Sequence, residues 1–137
     1  MIYWVNHNNN VIKLINMTKI LVVEDNPLNM ELVVEILKSK GFNVKTAEDG
    51  EEALRKTEIE VYDLILMDIE LPGIDGVEVT KIIREKNKYV PIIALTSYAM
   101  KGDRERFLSA GFDDYISKPL DVTEFICKVE NYCKAAG

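Results

Sequence analysis

The chain has few of the residues that build the commonest metal and redox sites. Its 137 residues include one histidine, His7, and two cysteines, Cys127 and Cys133. Those cysteines lie six positions apart in a predicted last helix, which puts them on different faces, so a disulfide is not expected. A single histidine leaves no Cys/His zinc-ligand spacing. Reduced thiols fit a cytoplasmic address.

Two further absences exclude other classes of function. The formal net charge is −6, with 17 basic and 23 acidic residues, so the basic excess that nucleic-acid binding needs is missing. No run of about 18 apolar residues exists to span a membrane, and the apolar stretch from Ile2 to Val5 is too short for a signal peptide. The length is that of one domain. The sequence therefore predicts a single domain that binds neither nucleic acid nor membrane.

The first sixteen residues differ in composition from the rest. They contain one formally charged side chain, Lys13, a run of asparagines at 8–10 and the only tryptophan, Trp4. A second methionine, Met17, stands just before the first predicted strand. We favour the interpretation that residues 1–16 are a leader or extension, either an upstream start or a non-native addition, with no role in the fold, and that residues 17–137 form the domain. The alternative is a docking or dimerising arm, because its apolar side chains could cover an apolar patch.

From Lys19 onward, short apolar runs alternate with amphipathic segments, a pattern typical of a parallel α/β domain. Strands are predicted at 20–23, 42–47, 63–67, 92–95 and 115–117, and helices at about 27–40, 49–58, 75–86, 100–111 and 121–134. Periodicity alone does not choose between the two common doubly wound strand orders. No G-x-G-x-x-G follows the first strand, which favours the flavodoxin-like (βα)5 sheet with strand order 2-1-3-4-5 over the dinucleotide-binding order.

Acidic residues follow two of these strands. Glu24 and Asp25 come directly after Ile20–Val23, and Asp68 ends the third strand. In the order 2-1-3-4-5 these strands are neighbours, and their carboxyl ends meet at one edge. Charges about 4 Å apart repel by roughly 4 kcal/mol per pair at an effective dielectric constant near 20, so the three carboxylates need a cation. Oxygen ligands suit Mg²⁺, with Mn²⁺ or Ca²⁺ less favoured.

Two more polar residues are expected at the same edge. Thr96 follows the fourth strand and offers a hydroxyl donor, and Lys118 follows the fifth and offers a compact cation with three donors. Carboxylates, a cation, a hydroxyl and Mg²⁺ describe a site that accepts a phosphoryl group on an acyl oxygen, since phosphoryl transfer depends mainly on positioning and charge neutralisation. Asp68, at the centre, is the expected nucleophile.

At this point the chain resembles the receiver domains of two-component response regulators over residues 18–135. The resemblance is carried by Val22–Asn26, Leu66–Gly76, Ala94–Ser97 and Ser117–Pro119, which are weak singly and strong in this order and spacing. It implies a Mg²⁺-dependent module that a sensor histidine kinase or histidine phosphotransfer protein phosphorylates on Asp68. Such a module signals by conformational change and protein binding. It is not an enzyme beyond its own phosphorylation and dephosphorylation.

The resemblance also implies a metal-ligand set. Asp25 and Asp68 match direct ligands, Glu24 matches the neighbouring acid that usually acts through water, and Glu70 matches the position whose backbone carbonyl completes the site. Many members have aspartate where this chain has Glu24, which could alter the outer metal shell.

Further implied roles concern the phosphoryl group and the signal. Thr96 and Lys118 match the pair that binds the phosphoryl oxygens, Tyr115 matches an aromatic switch, and the Lys118–Pro119 peptide is expected to be cis. The output surface is expected on the face of the fourth helix, fifth strand and fifth helix. Its predicted patch is Lys101, Arg104, Phe107, Tyr115 and Phe125.

Three alternatives stay open at the level of sequence. A Mg²⁺-dependent phosphatase would also use an aspartyl phosphate, and Glu70 stands two positions after Asp68, where such enzymes carry a general acid. A phosphorylation-independent interaction domain is the second. The third concerns context, because the run 93–103 is similar both to single-domain regulators and to the receiver segments of hybrid kinases.

Overall fold

In a computed structural model of the protein, the described residues are 3–5, 11–13, 18–97 and 102–135. The strands are β1 (Tyr3–Val5), β2 (Val11–Lys13), β3 (Lys19–Val23), β4 (Asn43–Ala47), β5 (Leu64–Asp68), β6 (Ile92–Thr96) and β7 (Asp114–Ser117). The helices are α1 (Pro27–Ser39), α2 (Gly50–Ile59), α3 (Gly76–Lys86), α4 (Asp103–Ala110) and α5 (Val122–Ala135).

The main sheet has five parallel strands in the order β4-β3-β5-β6-β7. Counted from β3, this is the order 2-1-3-4-5, so the predicted flavodoxin-like class is confirmed. Every residue of β5 and β6 is buried, which is why these strands read as continuous apolar runs. The sheet therefore has a core on each face.

The two cores divide the helices between the faces of the sheet. Val33 of α1 and Val129 of α5 belong to one apolar cluster. Ala53 of α2, Val79 of α3 and Phe107 of α4 belong to the other. Alternate residues of each strand point to opposite faces, so both sides of the central strands are covered, and the polar residues of β5 and β6, Asp68 and Thr96, stand at the strand ends.

The first three helices each begin after a residue whose side chain caps the helix. Asn26 accepts hydrogen bonds from the backbone of Leu28 and Asn29, and Pro27 occupies the first turn of α1. Asp49 and Asp75 cap α2 and α3 in the same way.

Most element bounds agree with the predicted ones within two residues. The exception is α4, which begins at Asp103 after Gly102 at φ 93°. The predicted start, Met100, lies outside the described residues.

A hairpin in the amino-terminal region was not predicted. Strands β1 and β2 pair antiparallel, with Trp4 opposite Ile12. Both strands fall within the segment 1–16 that sequence reasoning treated as a leader, and its lack of a role in the fold stays a prediction. No helix among the described residues is long and apolar enough to cross a membrane.

The carboxyl-terminal end of α4 is tied to the rest of the domain by Arg84. Its guanidinium donates to the carbonyl of Gly111 at 2.7 Å, to the carbonyl of Val90 at 2.6 Å and to the carboxylate of Asp113 at 2.9 Å. Gly111 has φ 110°, and an added Cβ would lie 2.9 Å from Cγ of Arg84. Glycine is thus required there both by backbone conformation and by the close approach of Arg84.

Candidate functional site

The structure brings the three predicted carboxylates together at the carboxyl ends of β3 and β5. Val23 is in register with Met67, so Glu24 and Asp68 follow at adjacent points of the edge. One ligand oxygen from each of Glu24, Asp25 and Asp68 lies within 4.8 Å of the others. Glu24 and Asp68 are buried, at 1% and 2% exposed, and Asp25 is exposed. The cluster therefore has two buried carboxylates and one that faces solvent.

Lys118 joins this cluster from the loop after β7. Its Nζ lies 3.0 Å from Oε2 of Glu24 and 3.3 Å from Oδ2 of Asp68. Burial lowers the pKa of Lys118, but hydrogen bonding and charge from Glu24 and Asp68 outweigh it, and the net shift is upward. The Lys118–Pro119 peptide is cis, as expected. The ammonium thus remains charged and partly offsets the acidic cluster.

Asp68 is held at both of its carboxylate oxygens. Oδ1 accepts a hydrogen bond from the backbone N–H of Glu70 at 3.0 Å, and Oδ2 faces Lys118. Burial raises the pKa of Asp68, as does neighbouring Glu24, and the opposing effects of Glu70 and Lys118 do not cancel this rise. Burying an acid this way disfavours its charged form, which a nearby cation would restore.

Glu70 extends its side chain towards β6, a contact that sequence reasoning missed. Oε1 accepts from the backbone N–H of Ser97 at 3.1 Å and from Oγ1 of Thr96 at 3.4 Å. Oε2 is buried and has no hydrogen-bond partner among the described residues. Burial, and next the Asp68 side chain, raise the pKa of Glu70. In the sequence, Glu70 was marked by its offset from Asp68 and by the resemblance, which assigns a role to its backbone carbonyl. Neither shows where its carboxylate goes.

Thr96 is buried at the end of β6, beside the loop that carries Lys118. The backbone N–H of Lys118 donates to the carbonyl of Thr96 at 2.8 Å, which fixes the two loops together. Thr96 therefore lies at the edge where the sequence placed it, with Glu70 on one side and the Lys118 loop on the other.

The donor set suits a divalent cation. Three carboxylates and one ammonium carry a formal charge of −2, which one divalent ion would balance. All candidate ligands are oxygens, and exposed Asp25 leaves a side open to water, a combination that suits Mg²⁺ better than softer metals. The residues present therefore fit the predicted metal.

Tyr115 lies on the same face of the sheet as Thr96 but does not stand opposite it. The register pairs Tyr115 with Ala94 and Ser117 with Thr96. Its half-buried ring lies 5.7 Å from the ring of Phe107, and Nζ of Lys128 lies 5.4 Å from its centre. Tyr115 thus sits between the α4 side of the core and α5.

The predicted output patch needs correction. Phe107 and Phe125 are buried, at 1% and 0% exposed, because Phe107 packs against the rings of Phe112 and Tyr115 and Phe125 belongs to the core on the opposite face. Neither can contact a partner directly. Lys101 lies outside the described residues. Exposed residues of α4 and α5 include Arg104, Leu108 and Val122.

Fold and site together define a parallel α/β domain with an acidic cluster, a lysine and a threonine at one sheet edge. The family model for the response regulator receiver domain matches residues 20–130. The polar-differentiation response regulator DivK of Brucella ovis is 44% identical over 119 residues, covering 85% of this chain and 97% of that protein. The chain belongs to the response regulator receiver domain family of two-component systems.

Relatives in larger proteins match as well. A stretch of 112 residues is 45% identical to hybrid signal transduction histidine kinase I of Dictyostelium discoideum, covering 75% of this chain but 6% of that kinase. The receiver domain of the sensor histidine kinase PA1611 from Pseudomonas aeruginosa has a TM-score of 0.79 at 42% identity, covering 85% of this chain and 98% of that one. That structure has a magnesium ion coordinated in its active-site cleft.

Proposed function

We propose that this protein is a Mg²⁺-dependent phospho-accepting receiver, phosphorylated on Asp68 by a sensor histidine kinase or a histidine phosphotransfer protein. The observation that carries the proposal is the buried Asp68 carboxylate, which lies in one cluster with Glu24 and Asp25 and has Nζ of Lys118 3.3 Å from its Oδ2. A buried carboxylate is suited to receive a negatively charged group when an ammonium lies beside it and further acids nearby would hold a divalent cation, because both positive charges offset the charge of that group.

The residues have distinct parts in this transfer. An oxygen of Asp68 attacks the phosphorus of the donor phosphohistidine; the new O–P bond forms as the P–N bond breaks, and the imidazole keeps the electron pair. Lys118 and Thr96 donate to phosphoryl oxygens. Asp25, Asp68, Glu24 through water and the Glu70 backbone carbonyl would hold Mg²⁺, which when bound supplies the charge neutralisation that lets phosphate and carboxylate approach.

The product is a signalling state. Phosphorylation adds a charge of about −1.5 to −2 beside Lys118 and Thr96. To change the ratio of active to inactive conformations from 1:99 to 99:1, phosphorylation must favour the active conformation by about 5.5 kcal/mol. We propose that Thr96 moves towards the phosphoryl group, that Tyr115 follows, and that a downstream protein binds the face formed by α4, β7 and α5.

We also propose that the protein acts in the cytoplasm and has no catalytic activity beyond its own phosphorylation and dephosphorylation.

Incubation with acetyl phosphate and Mg²⁺, followed by intact-mass measurement, tests the acceptor. The wild type should gain the mass of one phosphoryl group, and Asp68→Asn should not. Asp75→Asn is the matched control, because asparagine keeps the α3 cap, and it should retain the adduct. An adduct on Asp68→Asn, or none on the wild type, would overturn the proposal.

The phosphatase alternative is separated by a second measurement. Turnover of a panel of phosphomonoesters with Mg²⁺ should show no sustained release of phosphate above that of Asp68→Asn. If the wild type hydrolyses many substrate molecules per protein and Asp68→Asn does not, the protein is a phosphatase rather than a phospho-accepting switch.

A further inference from the structure

The Glu70 carboxylate accepts hydrogen bonds from two donors at the end of β6, the strand next to the one that carries Asp68. Its Oε1 lies 3.1 Å from the backbone nitrogen of Ser97 and 3.4 Å from Oγ1 of Thr96, and its own backbone N–H donates to Oδ1 of Asp68 at 3.0 Å. One residue therefore connects the β5–α3 loop, which carries the acceptor, to the end of β6. The donors at that end are the kind that phosphoryl oxygens use, an amide N–H and a hydroxyl.

We propose that the Glu70 carboxylate is an internal competitor for the phosphoryl group, bound at the Ser97 amide and Thr96 hydroxyl until a phosphoryl group on Asp68 expels it. This inference rests on the proposed acceptor role of Asp68. A backbone N–H donates to one good acceptor at a time, so the carboxylate and a phosphoryl oxygen cannot both take the Ser97 amide at full strength.

Two observations indicate that the Glu70 contact can be displaced. Its second oxygen, Oε2, is buried without a hydrogen-bond partner among the residues that the structure describes. A carboxylate oxygen that is buried without a hydrogen-bond partner bears a desolvation cost, which is recovered when the side chain leaves. A phosphoryl group on Asp68 also carries a charge of about −1.5 to −2, which repels the carboxylate of Glu70, two positions away in the chain. Expulsion of Glu70 therefore relieves an unsatisfied group and a like-charge contact together.

The proposal has a consequence for the affinity with which the site at Asp68 binds a phosphoryl group. If the Glu70 carboxylate must leave, its removal should strengthen binding of a phosphoryl analogue at Asp68, since the substitution keeps the backbone of residue 70 and takes away only the competing side chain. A side chain with a merely structural role would weaken binding or leave it unchanged when replaced. The direction of the change distinguishes the two.

The test is calorimetric titration of beryllofluoride, at a Mg²⁺ concentration shown by separate titration to saturate each variant. Glu70→Ala should bind it about tenfold more tightly than the wild type, the effect expected for one charge-assisted hydrogen bond in competition. Glu70→Gln should fall between them, because its amide oxygen still accepts from Ser97 but carries no charge. Glu78→Gln removes the same charge from an exposed position on α3 and should equal the wild type.

A second measurement is independent of affinity. In amide NMR spectra without the analogue, Glu70→Ala should shift the Ser97 resonance upfield, and with the analogue both proteins should reach the same position. Unchanged affinity in both Glu70 variants, or a Ser97 amide that ignores Glu70→Ala, would overturn this inference alone. Absence of binding to the wild type, or equal binding to Asp68→Asn, would overturn the acceptor role and this inference with it.

Discussion

Nζ of Lys118 lies 3.0 Å from Oε2 of Glu24, although the two residues are 94 positions apart in the chain. The pair links the end of β3 to the loop after β7, and both side chains are largely buried, at 15% and 1% exposed. A buried pair of this kind adds little net stability compared with apolar residues, but loss of one partner leaves a buried charge uncompensated. Glu24 therefore depends on Lys118 as long as no metal is bound.

Lys118→Ala should lower the free energy of unfolding without Mg²⁺ by ~3 kcal/mol, because it leaves two buried carboxylates without their cation. Saturating Mg²⁺ should recover most of this loss, since the ion replaces the missing positive charge. Urea unfolding with and without Mg²⁺ measures both effects. Lys86→Ala, which breaks an ion pair with Glu58 between exposed side chains, is the control and should have a far smaller effect. A loss that Mg²⁺ does not reduce would contradict this account.

Asp68→Asn should stabilise the metal-free protein at neutral pH, and the gain should shrink as the pH falls. Burial raises the pKa of Asp68, so the folded state holds this proton more tightly than the unfolded state. This proton stabilises the folded state fully at a pH below the ordinary carboxyl pKa, and the stabilisation is lost as the pH rises through the raised pKa of the folded state. The free energy of unfolding changes by ~1.4 kcal/mol for each unit by which the pKa is raised. Unfolding free energies from pH 4 to 8 would show this, with Asp75→Asn as control. A difference independent of pH would contradict it.

Mg²⁺ affinity should fall most in Asp25→Asn and less in Glu24→Gln. Asp25 is exposed and free to bind the ion directly, whereas Glu24 is held by Lys118 and Asn29 and is expected to act through water. Isothermal titration should give a loss of about tenfold or more for Asp25→Asn, in line with the removal of one charged ligand. Asp75→Asn should bind as the wild type does. Equal affinities for Asp25→Asn and wild type would place the metal elsewhere.

Removal of residues 1–16 should leave melting temperature and phosphorylation of Asp68 unchanged. Strand β3 begins at Lys19, and every residue of the acidic cluster follows it. Thermal unfolding of the Met17-start protein beside the full chain provides the measurement. A large fall in melting temperature would show instead that the β1–β2 hairpin packs on the domain.

Amide shifts on beryllofluoride binding should concentrate in residues 96–119, with α2 unaffected. Thr96 and Lys118 are joined through their backbones, and Tyr115 packs on Phe107 of α4. Tyr115→Ala should weaken phosphorylation-dependent partner binding while leaving phosphorylation of Asp68 nearly unchanged. Tyr89→Ala, at a position 91% exposed, is the matched control. Shifts confined to the region of Leu28 to Val34 would assign the output to α1 instead.

The fold followed from the sequence because β5 and β6 are buried on both faces and so read as unbroken apolar runs. The positions of Asp25, Asp68, Thr96 and Lys118 followed as well, since each stands where a strand ends. Side-chain direction did not follow. Phe107 was expected in the output patch, yet it is 1% exposed and packs against the rings of Phe112 and Tyr115.

The hydrogen-bond partners of the Glu70 carboxylate could not be predicted from the sequence either. Its partners Thr96 and Ser97 are 26 and 27 positions away, and a contact between two loops depends on their backbone path rather than on periodicity. The β1–β2 hairpin escaped prediction because its strands have only three residues each, too short a length for an alternating pattern to be recognised.

The ends of α4 are unequally anchored. Arg84 fastens the carboxyl-terminal end through the Gly111 carbonyl, whereas Gly102 at the other end provides no side-chain cap. The amino-terminal end of α4 is the end nearer to Ser97 in the chain, so a rearrangement that starts at Ser97 reaches α4 at the end without a side-chain cap. The helix should therefore tilt as a rigid rod about a pivot near Gly111, so that the largest displacement falls at Asp103 and Arg104 and almost none at Ala110.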